Sequence, residues 1–134
     1  PGREPGIFGE VPENLPSALY ARKVQRRAAS SGFDFDHVPY EAIRDELAEL
    51  EAAEGREARF HEVGDVLFAA VNVARKLRVD PELALRAAGE RFRRRVQAAS
   101  DLAARDGADW NDLSPDAQLG YYARARLAEG DRPQ

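Results

Sequence analysis

The chain has 134 residues, no cysteine and a formal charge of −4 from 20 basic and 24 acidic side chains. That length suits one ordinary domain closing a core without covalent staples, and the missing cysteines exclude disulfides and thiolate metal sites. The negative balance excludes a general DNA- or RNA-coating role, and no apolar run approaches the roughly 20 residues of a membrane-spanning helix, so neither nucleic acid nor membrane is an expected partner.

In chain order, residues 1–14 carry three of the eight prolines and three glycines without periodicity, which predicts an extended N-terminal arm ahead of a single helical domain over 15–134. No signal-like segment opens the chain, so a cytoplasmic setting is the simplest expectation. It begins at Pro1 rather than Met, as one half of a longer protein would. Pro16, tolerated in a first turn, opens a helix that runs through Leu19, Val24 and Ala28 to about Ser30, where Gly32 ends it. A second helix starts near Pro39, with Ile43, Leu47 and Leu50 on one stripe and Gly55 as the expected terminator.

The third, from about Arg56 to Arg78, is apolar nearly all round, the pattern of a central, buried helix. Asp80, Pro81 and Glu82 are a start signal for a long fourth helix with Leu85, Ala88, Phe92, Ala99 and Leu102 at near-heptad spacing before Gly107. A last helix opens at Ser114 and Pro115 and runs to about Ala128. Strand-like alternation is missing and the connections are short, so the predicted class is all-α, an antiparallel helical bundle.

Four carboxylates sit against this pattern. Glu46 lies three residues after Ile43 and four before Leu50, within or at the edge of the core stripe, and Glu49 shares its face one turn on. Glu62 and Asp65 repeat the three-residue spacing on the apolar third helix. Positions 50 to 61 provide twelve residues between the pairs, enough to end one helix, turn and start the next, so the pairs can meet across the interface. Acids at helical spacing ordinarily form a solvated face. Brought together here they require protons or cations, and all-oxygen ligation suits magnesium or manganese better than zinc or copper.

These residues resemble the MazG-type nucleoside triphosphate pyrophosphohydrolases, whose hallmark is EExxE followed by ExxD on consecutive helices. Here the motif reads Asp45-Glu46-Leu47-Ala48-Glu49, then Glu62-Val63-Gly64-Asp65. The run from Glu62 to Leu77, EVGDVLFAAVNVARKL, is similar to the family's most characteristic segment, and Leu15 to Phe35, LPSALYARKVQRRAASSGFDF, to the entry of the catalytic domain in the C-terminal half of longer members. The resemblance implies a hydrolase that cuts a ribo- or deoxyribonucleoside triphosphate into monophosphate and pyrophosphate. It also implies Mg²⁺ (or Mn²⁺) on Glu46, Glu49, Glu62 and Asp65, and a homodimer completing the bundle.

By the same resemblance Arg91 and Arg95, one turn apart, match basic positions that hold the triphosphate. Asn72 matches an asparagine beside the acidic site, and Tyr122 falls where relatives carry a base-stacking tryptophan. Tyr121 or Trp110 are alternatives for that last role. Asp45 replaces the usual first glutamate, and Ala42 and Ala58 stand where some relatives place basic residues, with Arg59 nearby. The general base is left open.

Two other readings have distinct signatures. A ferritin-like di-iron bundle needs Glu-x-x-His pairs, which neither His61 nor His37 supplies, and Asp65 stands where a zinc-protease motif needs its second histidine. A non-catalytic dimerisation or adaptor module would neutralise the acidic pairs with Arg91, Arg94 or Arg95 and show no metal dependence.

Overall fold

In a computed structural model, which describes residues 6–130, five α helices and one 3-10 turn follow one another, with no strand among the described residues. The first five residues of the expected arm and residues 131–134 of the tail lie outside the described residues. The helices are α1 (Ser17–Ser30), α2 (Tyr40–Ala52), α3 (Arg56–Lys76), α4 (Pro81–Arg105) and α5 (Pro115–Gly130), with the 3-10 turn at Trp110–Asp112. No helix among the described residues is long and apolar enough to cross a membrane.

The starts follow the sequence signals closely. Pro16 and Pro39 precede α1 and α2 as N-caps, the place where a missing N–H costs nothing. Asp80 Oδ1 accepts from the N–H groups of Glu82 (2.9 Å) and Leu83 (3.1 Å), satisfying two donors at the head of α4. Ser114 Oγ accepts from Ala117 N–H in the same way before α5.

The stops share one device. After α1 the N–H of Phe33 reaches back to Ala28 O across Gly32 at φ +99°, and after α4 Ala108 reaches Ala103 O across Gly107 at φ +80°. At the end of α3 the same wrap, Val79 N–H to Ala74 O, passes over Arg78 at φ 60°, a left-handed position that costs a residue with a Cβ about 1 kcal/mol. Gly55 differs from expectation. With α2 already ended at Ala52, Gly55 (φ +87°) is the N-cap of α3, so the glycine shapes the entry of the second helix rather than the exit of the first.

The contacts group the chain into two compact units, Pro1–Ala84 and Leu85–Gln134. In the first, α3 carries the packing, with α1 and α2 both laid against it. Ala69 and Val73 on the packed face of α3 are buried, as is Pro39, and the Gln25 amide of α1 donates to Phe68 O at 3.0 Å. In the second, the buried residues among those described are alanines: Ala99 and Ala103 on α4 and Ala125 on α5. Side-chain bonds from α4 and the residues just after it to α5, Arg95 to Glu129 and Asp106 to Tyr121, tie that unit together.

The expectation that α3 is buried all round holds for one face only. Phe60 is 83% exposed and Leu67 59%, with Val63 between them also exposed, and these three fall on one stripe by their spacing of three and four residues. Within the first unit α1 and α2 cover the opposite face of α3, and periodicity alone does not reveal which sides of an apolar helix find a neighbour.

Candidate functional site

The site begins with the α2–α3 hairpin. Ala53, Glu54 and Gly55 join the two helices, and this short connection turns the Glu46–Glu49 face of α2 toward the Glu62–Asp65 face of α3. One carboxylate oxygen from each of Glu46, Glu49 and Glu62 lies within 4.8 Å of the other two. A second group, His61, Glu62 and Asp65, meets the same limit. Glu62 belongs to both, so the four acids singled out in the sequence form one continuous cluster.

Its electrostatics are those of a site short of positive charge. Glu46 Oε2 and Glu62 Oε2 are buried without a hydrogen-bond partner. Burial first, then the neighbouring charge of Glu49 and those of Asp65 and Glu62, push the Glu46 carboxyl above its ordinary range. Among the described residues of the first unit no Lys or Arg forms an ion pair with Glu46, Glu49 or Glu62. A basic-type contact comes from His61, whose Nε2 stands 3.2 Å from Asp65 Oδ2. Histidine 61 is the member that the sequence did not place here. Its i, i+4 spacing to Asp65 was the available signal, since residues so spaced are neighbours on a helix surface.

Could these residues hold a divalent cation? The donor set is oxygen-only around Glu46, Glu49, Glu62 and Asp65, and ionised carboxylates accept without donating, so they cannot satisfy one another. Two buried oxygens without partners are what a hard cation would satisfy, and the residues therefore fit Mg²⁺ or Mn²⁺.

No family model matches the chain. Against curated proteins it is 36% identical over 121 residues to the nucleoside triphosphate pyrophosphohydrolase/pyrophosphatase MazG of Thermotoga maritima, covering 89% of this chain and 48% of that protein. It is 37% identical over 130 residues to the nucleoside triphosphate pyrophosphohydrolase of Escherichia coli K12, covering 91% of this chain and 49% of that one. The chain is a MazG homologue. It spans about half the length of the curated relatives it matches. A shorter match, 37% over 68 residues, links it to the uncharacterized protein YabN of Bacillus subtilis, covering 51% of this chain and 14% of that protein.

The remaining residues expected from the MazG resemblance divide between the units. Asn72 lies on α3 in the first, seven residues after Asp65, and its Oδ1 accepts from Arg75 Nε at 2.9 Å. Arg91, Arg95 and Tyr122 lie in the second unit. Arg91 is exposed. Arg95 is bidentate on Glu129, at 2.7 Å through Nε and 3.3 Å through Nη2, and this bond and its contact with Tyr122 raise the Arg95 pKa further. The Tyr122 ring packs against Phe92 with centroids 6.0 Å apart. Tyr121, the alternative aromatic, donates its hydroxyl to Asp106 at 2.8 Å.

Proposed function

We propose that this chain hydrolyses nucleoside triphosphates, ribo- or deoxyribo-, to monophosphate and pyrophosphate, with Glu46, Glu49, Glu62 and Asp65 holding Mg²⁺ or Mn²⁺. The observation that carries the reading is the convergence of these four acids with two buried oxygens left unpartnered. The names of the relatives in Thermotoga maritima and Escherichia coli agree with it. The span 15–134 acts in this reading as one catalytic domain, and a cytoplasmic setting, where nucleotide pools are held, accompanies it.

A bound divalent cation supplies positive charge to the phosphates and acidifies a water ligand. The protein's own part is to fix geometry. Glu62 joins both halves of the cluster, and His61 holds the Asp65 carboxylate in place. Arg91 and Arg95 would grip the triphosphate by charge-assisted hydrogen bonds, Arg95 doing so in competition with Glu129. Water adds in line to the α-phosphorus, the bond to the bridging oxygen breaks, and pyrophosphate leaves. For the base, Tyr122 is the candidate surface.

A homodimer is part of the same proposal. Phe60, Val63 and Leu67 form an apolar stripe exposed on α3, and covering one such side chain is worth about 1.5–3 kcal/mol. A second copy would cover it; sedimentation of Leu67→Asp as a monomer, against a dimeric parent, is the expected result.

Incubation with a panel of ribo- and deoxyribonucleoside triphosphates, with and without magnesium, tests the reaction. Magnesium-dependent release of monophosphate and pyrophosphate, separated by anion exchange, is expected. Diphosphate plus phosphate would move the cleavage site, and no turnover of any nucleotide would favour the adaptor reading.

A further inference from the structure

The acid cluster has two unlike edges. On one, Glu46, Glu49 and Glu62 bring carboxylate oxygens within 4.8 Å of one another. On the other, a ring nitrogen of His61 joins oxygens of Glu62 and Asp65 inside the same limit. The first edge offers oxygen alone, the second oxygen and nitrogen.

His61 and Asp65 are one turn apart on α3, so their side chains meet on the helix surface. The atom that His61 presents is Nε2, 3.2 Å from Asp65 Oδ2. As an ion pair the contact contributes little, since the His61 side chain is 72% exposed and that of Asp65 42%. As a pair of ligands it has a fitting span: neighbouring donor atoms on a six-coordinate ion with bonds of about 2.1 Å stand about 3 Å apart. Glu62 completes the group, and its Oε2 is buried without a hydrogen-bond partner. A neutral imidazole with its proton on Nδ1 has a lone pair on Nε2 to give.

Nitrogen and oxygen do not serve every cation alike. Mg²⁺ is hard, demands near-ideal octahedral geometry and favours carboxylate and water. Imidazole suits the first-row transition ions, whose affinities rise from Mn²⁺ through Fe²⁺ and Co²⁺ to Ni²⁺. Carboxylates alone separate these ions from Mg²⁺ weakly, and one imidazole adds a donor that the transition ions accept more readily. Exposure lets the ring act in this way. His61 lies open to water while Ala69 and Val73 form the buried face of α3, so His61 can adjust to a cation without disturbing the packing.

We infer that His61 is a nitrogen ligand which, with Glu62 and Asp65, makes the site select Mn²⁺ and its heavier first-row neighbours over Mg²⁺. The inference rests on the proposed metal site and deepens it, by naming the preferred class of cation and the residue that decides the preference.

The test uses the full chain without nucleotide, with Mn²⁺, Co²⁺ and Mg²⁺ as the probes. By calorimetry the wild type should bind Mn²⁺ about tenfold more tightly than Mg²⁺, and Co²⁺ more tightly still. His61→Gln places a polar side chain at an exposed position and leaves the fold intact. It should lose about tenfold in Mn²⁺ and Co²⁺ affinity, the scale on which groups around a metal act, with Mg²⁺ affinity little changed. Retained Mg²⁺ binding also shows that the four acids keep their places. Pulsed electron paramagnetic resonance of bound Mn²⁺ gives a readout independent of turnover: coupling to an imidazole nitrogen in the wild type, and none in His61→Gln.

Mn²⁺ bound by the wild type without nitrogen coupling, or an equal loss of Mn²⁺ and Mg²⁺ affinity in His61→Gln, would mean that His61 only braces Asp65. The inference then falls while the proposed metal site stands. A wild type that binds none of the three cations would sink both.

Discussion

Glu46 and Glu62 in the α2–α3 hairpin each keep a buried carboxylate oxygen without a partner, whereas in the second unit Arg95 meets Glu129 and Arg124 meets Asp106. Both regions are rich in charge and helical throughout. They differ in whether the chain supplies its own counter-charge. Matched pairs such as those of the second unit add little and need no ligand, because exposed ion pairs lose in screening and side-chain entropy most of what they gain. Acids drawn together without a counter-ion raise the energy of the fold, and a sequence that keeps them must recover that cost from something bound.

The comparison breaks most decisively at Glu62, the acid shared by both halves of the cluster. Glu62→Gln keeps the shape and removes the charge, and magnesium-dependent pyrophosphate release should fall about a thousandfold, with helical circular dichroism unchanged. Next in size is the response to the cation itself. Magnesium at a hundredfold excess over its dissociation constant should stabilise the wild type by about 2.7 kcal/mol in thermal melts, and much less in Glu62→Gln. Equal stabilisation of both would place the cation elsewhere.

A smaller effect is expected at Asp34, a carboxylate whose counter-charge is complete. The hydrogen bond from Arg75, with help from Lys76, lowers its pKa from 3.8 to about 2. An acid depressed in the fold stabilises above its unfolded value and loses that contribution as pH falls through the folded one. Asp34→Asn should therefore cost about 1 kcal/mol at neutral pH after allowance for screening, and the difference from wild type should close between about pH 4 and pH 2. Chemical denaturation across that range measures it. The smallest effect belongs to the second unit. Arg124→Ala removes an exposed pair with Asp106 and should move the melting temperature by about a degree or less.

Much of this was readable from residues alone. Pro16, Pro39, Asp80 and Ser114 mark helix starts because each answers a local rule about the first turn, and Gly32 and Gly107 mark stops because a glycine takes the left-handed turn there without a Cβ penalty. The four acids were legible for the same reason: helical spacing is local, and two pairs flanking one short loop have few ways to avoid each other. What escaped notice depends on distant partners. Gln25 finds Phe68 across 43 residues, and Phe8, read as part of a featureless arm, becomes a cavity wall. The 3-10 turn at Trp110–Asp112, capped by Asp109, carries no apolar period to betray it. The exposed stripe of Phe60, Val63 and Leu67 escaped because an apolar pattern counts surfaces that want cover, whether or not the same unit provides it.

The connection at Ala53–Gly55 imposes a constraint of another kind. Each residue of an α helix turns it by about 100°, so an added residue here, carried forward undamped, would screw α3 through more than a quarter turn and swing Glu62 and Asp65 out of phase with Glu46 and Glu49. Surface loops are ordinarily where a chain tolerates insertions best. This one sets the timing between two threads, and its length should be guarded as closely as any ligand it brings into line.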